Sequence, residues 1–269
     1  MLSLTFFPLS SFADYAIRLP RAILVSPVVV QPRFKLVILI DDMGNSLKLS
    51  QAALNLPGPI SYAFLPFAHF SKKLAIDAQR LNKDVLLHAP METIHNFPLG
   101  KGGVTSIMGE MQFKKILNHN IDAIPYLIGV NNHMGSRLTT LNRQMRWTME
   151  VLKERGLFFL DSRTTSNSVA WQQAKKAGMV DLQRDIFLDH DLNLTAINQQ
   201  YEKALLIAKK YGHSIVIAHP HPMSINFLKE KLQSLNQQNI ELMSVSALVA
   251  QLKLEQLSAL ELTKNNPVK

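Results

Sequence analysis

From Lys35 onward, short β-branched or apolar runs alternate with amphipathic stretches, and no other feature of the chain limits its fold so tightly. KLVILI precedes NSLKLSQAALNL, and PISYAFLPF precedes SKKLAIDAQRLNK, with Ser71 as the expected N-cap. DVLLHAP leads through a Gly/Pro-rich loop, Asn96 to Gly103, into EMQFKKILNHNIDAI. YLIGVNNHMGS reads as strand then loop, LNRQMRWTMEVLKERG as a helix stopped by Gly156, and LFFLDS as the next strand. SVAWQQAKKAG is a helix ending at Gly178, MVDLQRDIFLDHD one strand and a loop, and LTAINQQYEKALLIAKKYG a long helix. SIVIAHPHP, NFLKEKLQSLNQQ, IELMSVS and ALVAQLKLEQL continue the rhythm. Strands that alternate with helices bury both faces by lying parallel beneath those helices. About seven or eight such units in one chain of this length predict a single α/β domain, a distorted (β/α) barrel of about seven parallel strands. It spans residues 34–255. No G-x-G-x-x-G or Walker pattern follows a strand, which argues against a nucleotide-binding doubly wound sheet.

The ends of the chain read differently. MLSLTFFPLSSFADYA opens on an apolar run and reaches the small-x-small Ser11-Phe12-Ala13, so residues 1–13 are expected to be a secretory signal, although no basic residue precedes Arg18. Residues 14–33, with Pro20, Pro27 and Pro32, form an extended lead-in, and residues 256–269 a polar tail. The expected location is periplasmic or secreted. No run reaches the roughly 18 apolar residues of a transmembrane helix, so no transmembrane segment is expected in the mature chain. The net charge is +9, but its bases are scattered in pairs such as Lys72-Lys73, Lys114-Lys115 and Lys209-Lys210. Without a basic stripe interleaved with aromatics, no nucleic-acid partner is expected. The chain has no cysteine, which excludes disulfides, thiolate metal sites and a cysteine nucleophile.

Polar residues collect where strands end. Asp41 and Asp42 close LVILIDDMG, His88 and then Glu92 lie in HAPME, and His133 lies in NNHMGSR with Arg137 after it. Asp161 and Arg163 lie in LDSRT, and His219 and His221 in IAHPHP. Each has an ordinary structural reading: a strand-end aspartate caps the next helix, and a histidine beside proline bonds within its loop. Asp161 and Arg163 can pair with each other, and Glu92, His95 and His69 can be solvated, while His119, His190 and His213 receive no role. The carboxyl ends of barrel strands converge on one face, however, and that convergence favours a shared site. Carboxylates and imidazoles without thiols suit Zn²⁺, Mn²⁺, Co²⁺ or Fe²⁺ with an open coordination position. One of two adjacent aspartates can then hold the cation while the other takes a proton from water, and a histidine across the cleft can protonate a leaving group. The cation also relieves the repulsion between the paired carboxylates.

Taken together, IDDMG, HAPME, NNHMGSR, LDSRT, RDIFLDHD and IAHPHP resemble the divergent polysaccharide deacetylases (the YibQ-like family), distant relatives of the NodB-homology carbohydrate esterases, over roughly Phe34 to Leu252. The resemblance implies a distorted (β/α) barrel, an envelope location and a divalent-metal site that hydrolyses N- or O-acetyl groups on glycans. It implies Asp41 as base and Asp42 as ligand. The relatives' second motif is a histidine, three residues and a second histidine. His88 matches the first, and Glu92 stands at the second. His133 is then the implied third ligand, with Glu92 or His221 as alternatives. Arg137 or Arg163 would stand for an arginine-bearing motif, His219 for the acid, and Glu92, Arg137, Asp161, Arg163 and His221 would support the site or bind substrate. The implied cofactor is Zn²⁺, with Mn²⁺, Co²⁺ or Fe²⁺ as the other choices, and the implied substrate an acetylated, peptidoglycan-type glycan. The alternatives are a catalytically inactive envelope glycan-binding or scaffolding protein, and another metal-dependent hydrolase of amide or phosphate esters.

Overall fold

The computed structural model describes residues 34–265. The expected signal segment, the lead-in and residues 266–269 lie outside the described residues. The strands are β1 (Phe34–Met43), β2 (Ser61–Phe64), β3 (Asp84–Met91), β4 (Gly129–Met134), β5 (Phe158–Asp161), β6 (Leu182–Gln183), β7 (Ile186–Phe187), β8 (His213–Ala218) and β9 (Ile240–Met243). Between them run α1 (Leu47–Leu54), α2 (Ser71–Arg80), α3 (Glu110–Ala123), α4 (Asn142–Glu154), α5 (Ala170–Lys176), α6 (Leu194–Tyr211), α7 (Pro222–Lys231) and α8 (Val245–Asn265). Every pairing is parallel, in the order β6-β5-β4-β3-β2-β1-β8-β7, with β9 beside the start of β1.

MVDLQRDIFLDHD supplies two strands where one was expected. Arg184 and Asp185 separate β6 from β7, which stand at opposite ends of the strand path. The Arg184 backbone N–H donates to Asp161 O on one side, and the Asp185 N–H to Ile215 O on the other. Two residues therefore bridge the ends of the sheet, so the sheet must curl into a distorted barrel. Ser71 is the first helical residue of α2 and not its cap. Its hydroxyl donates to Met43 O, tying the helix to the end of β1.

Strand alternation divides the core in two. Leu36, Ile38 and Ile40 of β1, Leu87 of β3, Val130 of β4 and Val216 of β8 pack outward against α1 to α6. Val37, Leu39, Leu86, Leu160, Ile215 and Ile217 point inward and meet Val245, Leu248 and Val249 of α8. At the start of α8, the N–H groups of Val245 and Ser246 donate to Ser61 Oγ and Asp84 Oδ2, at the beginnings of β2 and β3. Thus α8 closes the amino end of the barrel, and the carboxyl end stays open. Among the described residues no helix is long and apolar enough to cross a membrane.

Candidate metal centre

The inward parity of each strand, continued to its carboxyl end, selects the site. Leu86 leads to His88, and the register pairs His88 with Asn131 and Pro90 with His133, so those residues share the inner face. Leu160 leads to Ser162, Ile217 to His219, and Leu39 to Asp41. Asp42 should then face outward, and a backbone irregularity prevents it. The β1–β2 register shifts between Ile40 and Met43, and Asp42 adopts φ +56°. A bulge with one left-handed residue turns a second consecutive side chain to the same side. Aspartate tolerates that conformation better than most residues. Two adjacent carboxylates thereby reach one cleft, while Met43 returns to the outer core.

Asp42, His88 and His133 converge. Asp42 Oδ1 lies 3.2 Å from His88 Nε2 and 3.0 Å from His133 Nδ1, and the two ring nitrogens are 3.1 Å apart. Ligands held about 2.0–2.2 Å from one ion stand about 2.8–3.6 Å from each other at right-angled to tetrahedral bond angles. Asp42 Oδ1 is buried with no hydrogen bond among the described residues, so neither ring donates to it along a proper line. Three donor atoms at coordination spacing, with no hydrogen-bond partner for Asp42 Oδ1 among the described residues and the two ring nitrogens facing each other, fit a divalent cation. Asp42 keeps 35% of its side chain exposed, leaving a flank open to water or substrate, whereas Asp41 and His88 are buried.

Asn131 orders the polar groups behind these donor atoms. Its Nδ2 donates to Asp41 Oδ1 and Oδ2, at 2.8 and 3.0 Å, and to Ser162 Oγ. That orientation turns Asn131 Oδ1 toward His88 Nδ1 at 2.9 Å. A carbonyl oxygen only accepts, so Nδ1 carries the proton and Nε2 offers its lone pair to the cluster. Burial lifts the Asp41 carboxyl above the ordinary aspartate value, with Asp42 adding to the rise and His88 and His219 opposing it. Burial opposes ionisation of Asp42 too, but the nearby His133 and His88 hold its carboxyl far below the usual range.

Across the cleft, His219 Nε2 stands 4.0 Å from Asp42 Oδ2. Its Nδ1 is 2.9 Å from Asp189 Oδ1, while Asp189 Oδ2 accepts from the His219 N–H and from Ser224 Oγ. Burial disfavours charge on His219, yet the Asp189 hydrogen bond and charge outweigh it and push its pKa up to about 9. Asp189, His219 and His221 also lie close enough to form a second group able to hold an ion. Asp189 already commits both oxygens to hydrogen bonds, which makes it the weaker candidate.

The other expected site residues stand apart from the ligand group. β3 ends at Met91, and Glu92 turns away to bind the Ser106 N–H and, at 3.5 Å, Arg137 Nε. Asp161 has outward parity and holds Ser168 Oγ and the Arg163 N–H. The Arg163 guanidinium reaches Gln183 and Ser166 O along the barrel seam. Asn131, Asp189 and Arg184 escaped sequence reasoning. Arg184 bonds Ser162 O and Arg163 O, and burial lowers its own pKa to about 10. Burial also raises the carboxyl pKa of nearby Asp161, against the opposing bonds of Ser168 and Arg163 and the charge of Arg184. Strand parity could have found Asn131, two residues before His133, and the strand-end rule could have found Asp189.

Comparison with known proteins places the chain among its relatives. The uncharacterized protein YibQ of Escherichia coli K12 is 34% identical over 212 residues, covering 79% of this chain and 66% of its own length, so the chain spans about two thirds of that relative. An uncharacterized protein of Haemophilus influenzae Rd is 37% identical over 201 residues, covering 75% of this chain and 72% of its own. The crystal structure of an uncharacterized protein from Agrobacterium tumefaciens C58 shares the fold with a TM-score of 0.78 at 24% identity, over 83% of this chain and 92% of that one. The peptidoglycan deacetylase PdaC of Bacillus subtilis shares it with a TM-score of 0.53 at 14% identity, over 88% and 99% of the two chains. The sequence profile described as divergent polysaccharide deacetylase matches residues 38–249, and the chain belongs to that family.

Proposed function

We propose that the protein is a divalent-metal-dependent carbohydrate deacetylase, with Asp42, His88 and His133 holding the ion, preferably Zn²⁺. The convergence of those three donor atoms, with Asn131 fixing the tautomer of one, carries the reading. A bound cation would polarise the acetyl carbonyl and acidify the attacking water. Asp41, held through both oxygens by Asn131, takes the proton from the attacking water, and the burial that raises its pKa makes it a stronger base than an ordinary aspartate. His219 delivers a proton to the departing amine or alkoxide, and Asp189 supports the imidazolium and orients the ring. Binding alone has little need of a buried carboxylate beside a ligand or of a histidine charged by its own aspartate, which disfavours the inactive, glycan-binding alternative.

The substrate in this proposal is an acetylated envelope glycan of peptidoglycan type, in keeping with a family of polysaccharide deacetylases. The proposed location, the cell envelope, rests on the apolar N-terminal run of the sequence. The test is acetate release from acetylated chito-oligosaccharides, with and without Zn²⁺ or Mn²⁺. Metal-dependent release that falls about 10²-fold or more in Asp41→Asn, and is lost together with metal content in Asp42→Ala, is expected. Absence of release at any metal loading overturns the reading.

A further inference from the structure

A groove leaves the candidate metal centre in one direction. It begins as a cleft of about 280 Å³ that includes His133 and Pro90, with Pro66 and Phe67 on one wall and Leu99 and Lys101 on the other. Phe67 and Lys101 also line a second cleft of about 340 Å³ that continues to His119 on α3. The Phe67 and His119 rings pack against each other, with centroids 5.0 Å apart and planes inclined by 30°, and both border the groove. The Lys101 wall is fixed in place. Val104 N–H donates to Pro90 O, Glu92 N–H to Val104 O, and Asn120 Nδ2 to Gly102 O at 2.7 Å. Gly102 has φ +83°, and a Cβ there would overlap Asn120 Oδ1 and lie 2.9 Å from Phe67, so the backbone approaches the ring as closely as glycine allows.

Charge is distributed unevenly along this groove. Lys101 is exposed and makes no ion pair or hydrogen bond among the described residues, and no acidic residue lines either cleft. An uncompensated cation beside aromatic and proline surface matches a ring with an apolar face and an anionic rim. A sugar offers its C–H face to aromatic side chains and its substituents to polar groups. We propose that this groove is a subsite for a carboxylate-bearing sugar adjacent to the acetylated one, with the packed Phe67–His119 pair as its aromatic wall and Lys101 as its charge reader. The assignment rests on the reading of the metal centre as a site for acetylated glycans, and it narrows the substrate class to anionic glycan chains.

Matched probes test it: tetra-N-acetylchitotetraose, and the same tetramer with its C6 hydroxymethyl groups oxidised to carboxylates. Binding of each to the full, Zn²⁺-loaded chain is measured by calorimetry. The oxidised tetramer should bind about 5-fold tighter, a preference that weakens with added salt. Lys101→Met should abolish the preference, Lys101→Glu should reverse it, and Phe67→Ala should weaken both tetramers. Equal affinities in the wild type, or a preference that survives Lys101→Glu, overturn the proposal. Acetate release followed in the same samples separates the two readings. Selective binding without release upholds the subsite and defeats the hydrolytic reading, whereas release without selectivity does the reverse.

Discussion

At the scale of single residues, the cleft sets unlike environments against each other. Asp41 is kept basic by burial, Asp42 is kept ionised by two imidazoles, and His219 is kept charged by Asp189. Pairs of titratable groups pushed apart in this way mark acid and base roles. The Asp189–His219 pair also makes a prediction about stability. His219 has a folded pKa raised from 6.5 to about 9, so its contribution is fully present below pH 6.5 and is lost as pH rises through about 9. Asp189 has a folded pKa below 3.8, because its bonds to His219 and Ser224 outweigh its burial, so its contribution is present above pH 3.8 and lost in stronger acid. Asp189→Asn should therefore cost about 2 kcal/mol between about pH 4 and 6.5, and less at either side. Urea unfolding of metal-free wild type and variant across pH checks this, and a deficit independent of pH would refute it.

At the scale of elements, the end of β1 does the positioning. Gly44 follows the bulge with φ +117°. Its N–H bonds Ser50 Oγ of α1, and its carbonyl accepts from the Phe70 N–H that precedes α2. A Cβ at Gly44 would overlap Ser71 Oγ and press on Ala68. Gly44→Ala should destabilise the fold by about 2–4 kcal/mol, since both the conformation and the space are forbidden, and it should weaken metal binding by displacing Asp42. Equilibrium unfolding with a metal titration measures both, and a variant indistinguishable from wild type would show that the turn is not a constraint. The parallel rhythm and the strand-end histidines could be read from the sequence because period and type are local. Which strand-end residue faces inward could not be read so easily. Asp161 is the carboxylate of LDSRT and so the expected candidate, yet parity gives its neighbour Ser162 to the cleft and Asp161 to the wall. The split of MVDLQRDIFLDHD was hidden because strands of two residues carry no periodicity.

At the scale of the whole molecule, the barrel is closed at one end and stitched by two residues at its seam, so its open end depends on what the strand termini bind. The candidate ligands come from β1, β3 and β4, and β2 separates the first from the others. An ion held by all three ties together strand ends that the backbone ladder joins only through β2. A ligand that binds the folded state alone stabilises it by about 2.7 kcal/mol at 100 times its dissociation constant. For a chain of this size, about 2–4 °C accompanies each kcal/mol. Zn²⁺ at that excess should raise the melting temperature of the wild type by about 5–10 °C, a chelator should reverse the rise, and Asp42→Ala should lose it. The rise should also shrink in acid. Burial disfavours a charged His88, but Asp41 and Asp42 overcome that and raise its pKa, so protons compete with the ion for the same Nε2. An equal rise in Asp42→Ala would instead assign the ion to Asp189, His219 and His221, the second group of donors in the cleft, and would displace His219 from its role as acid.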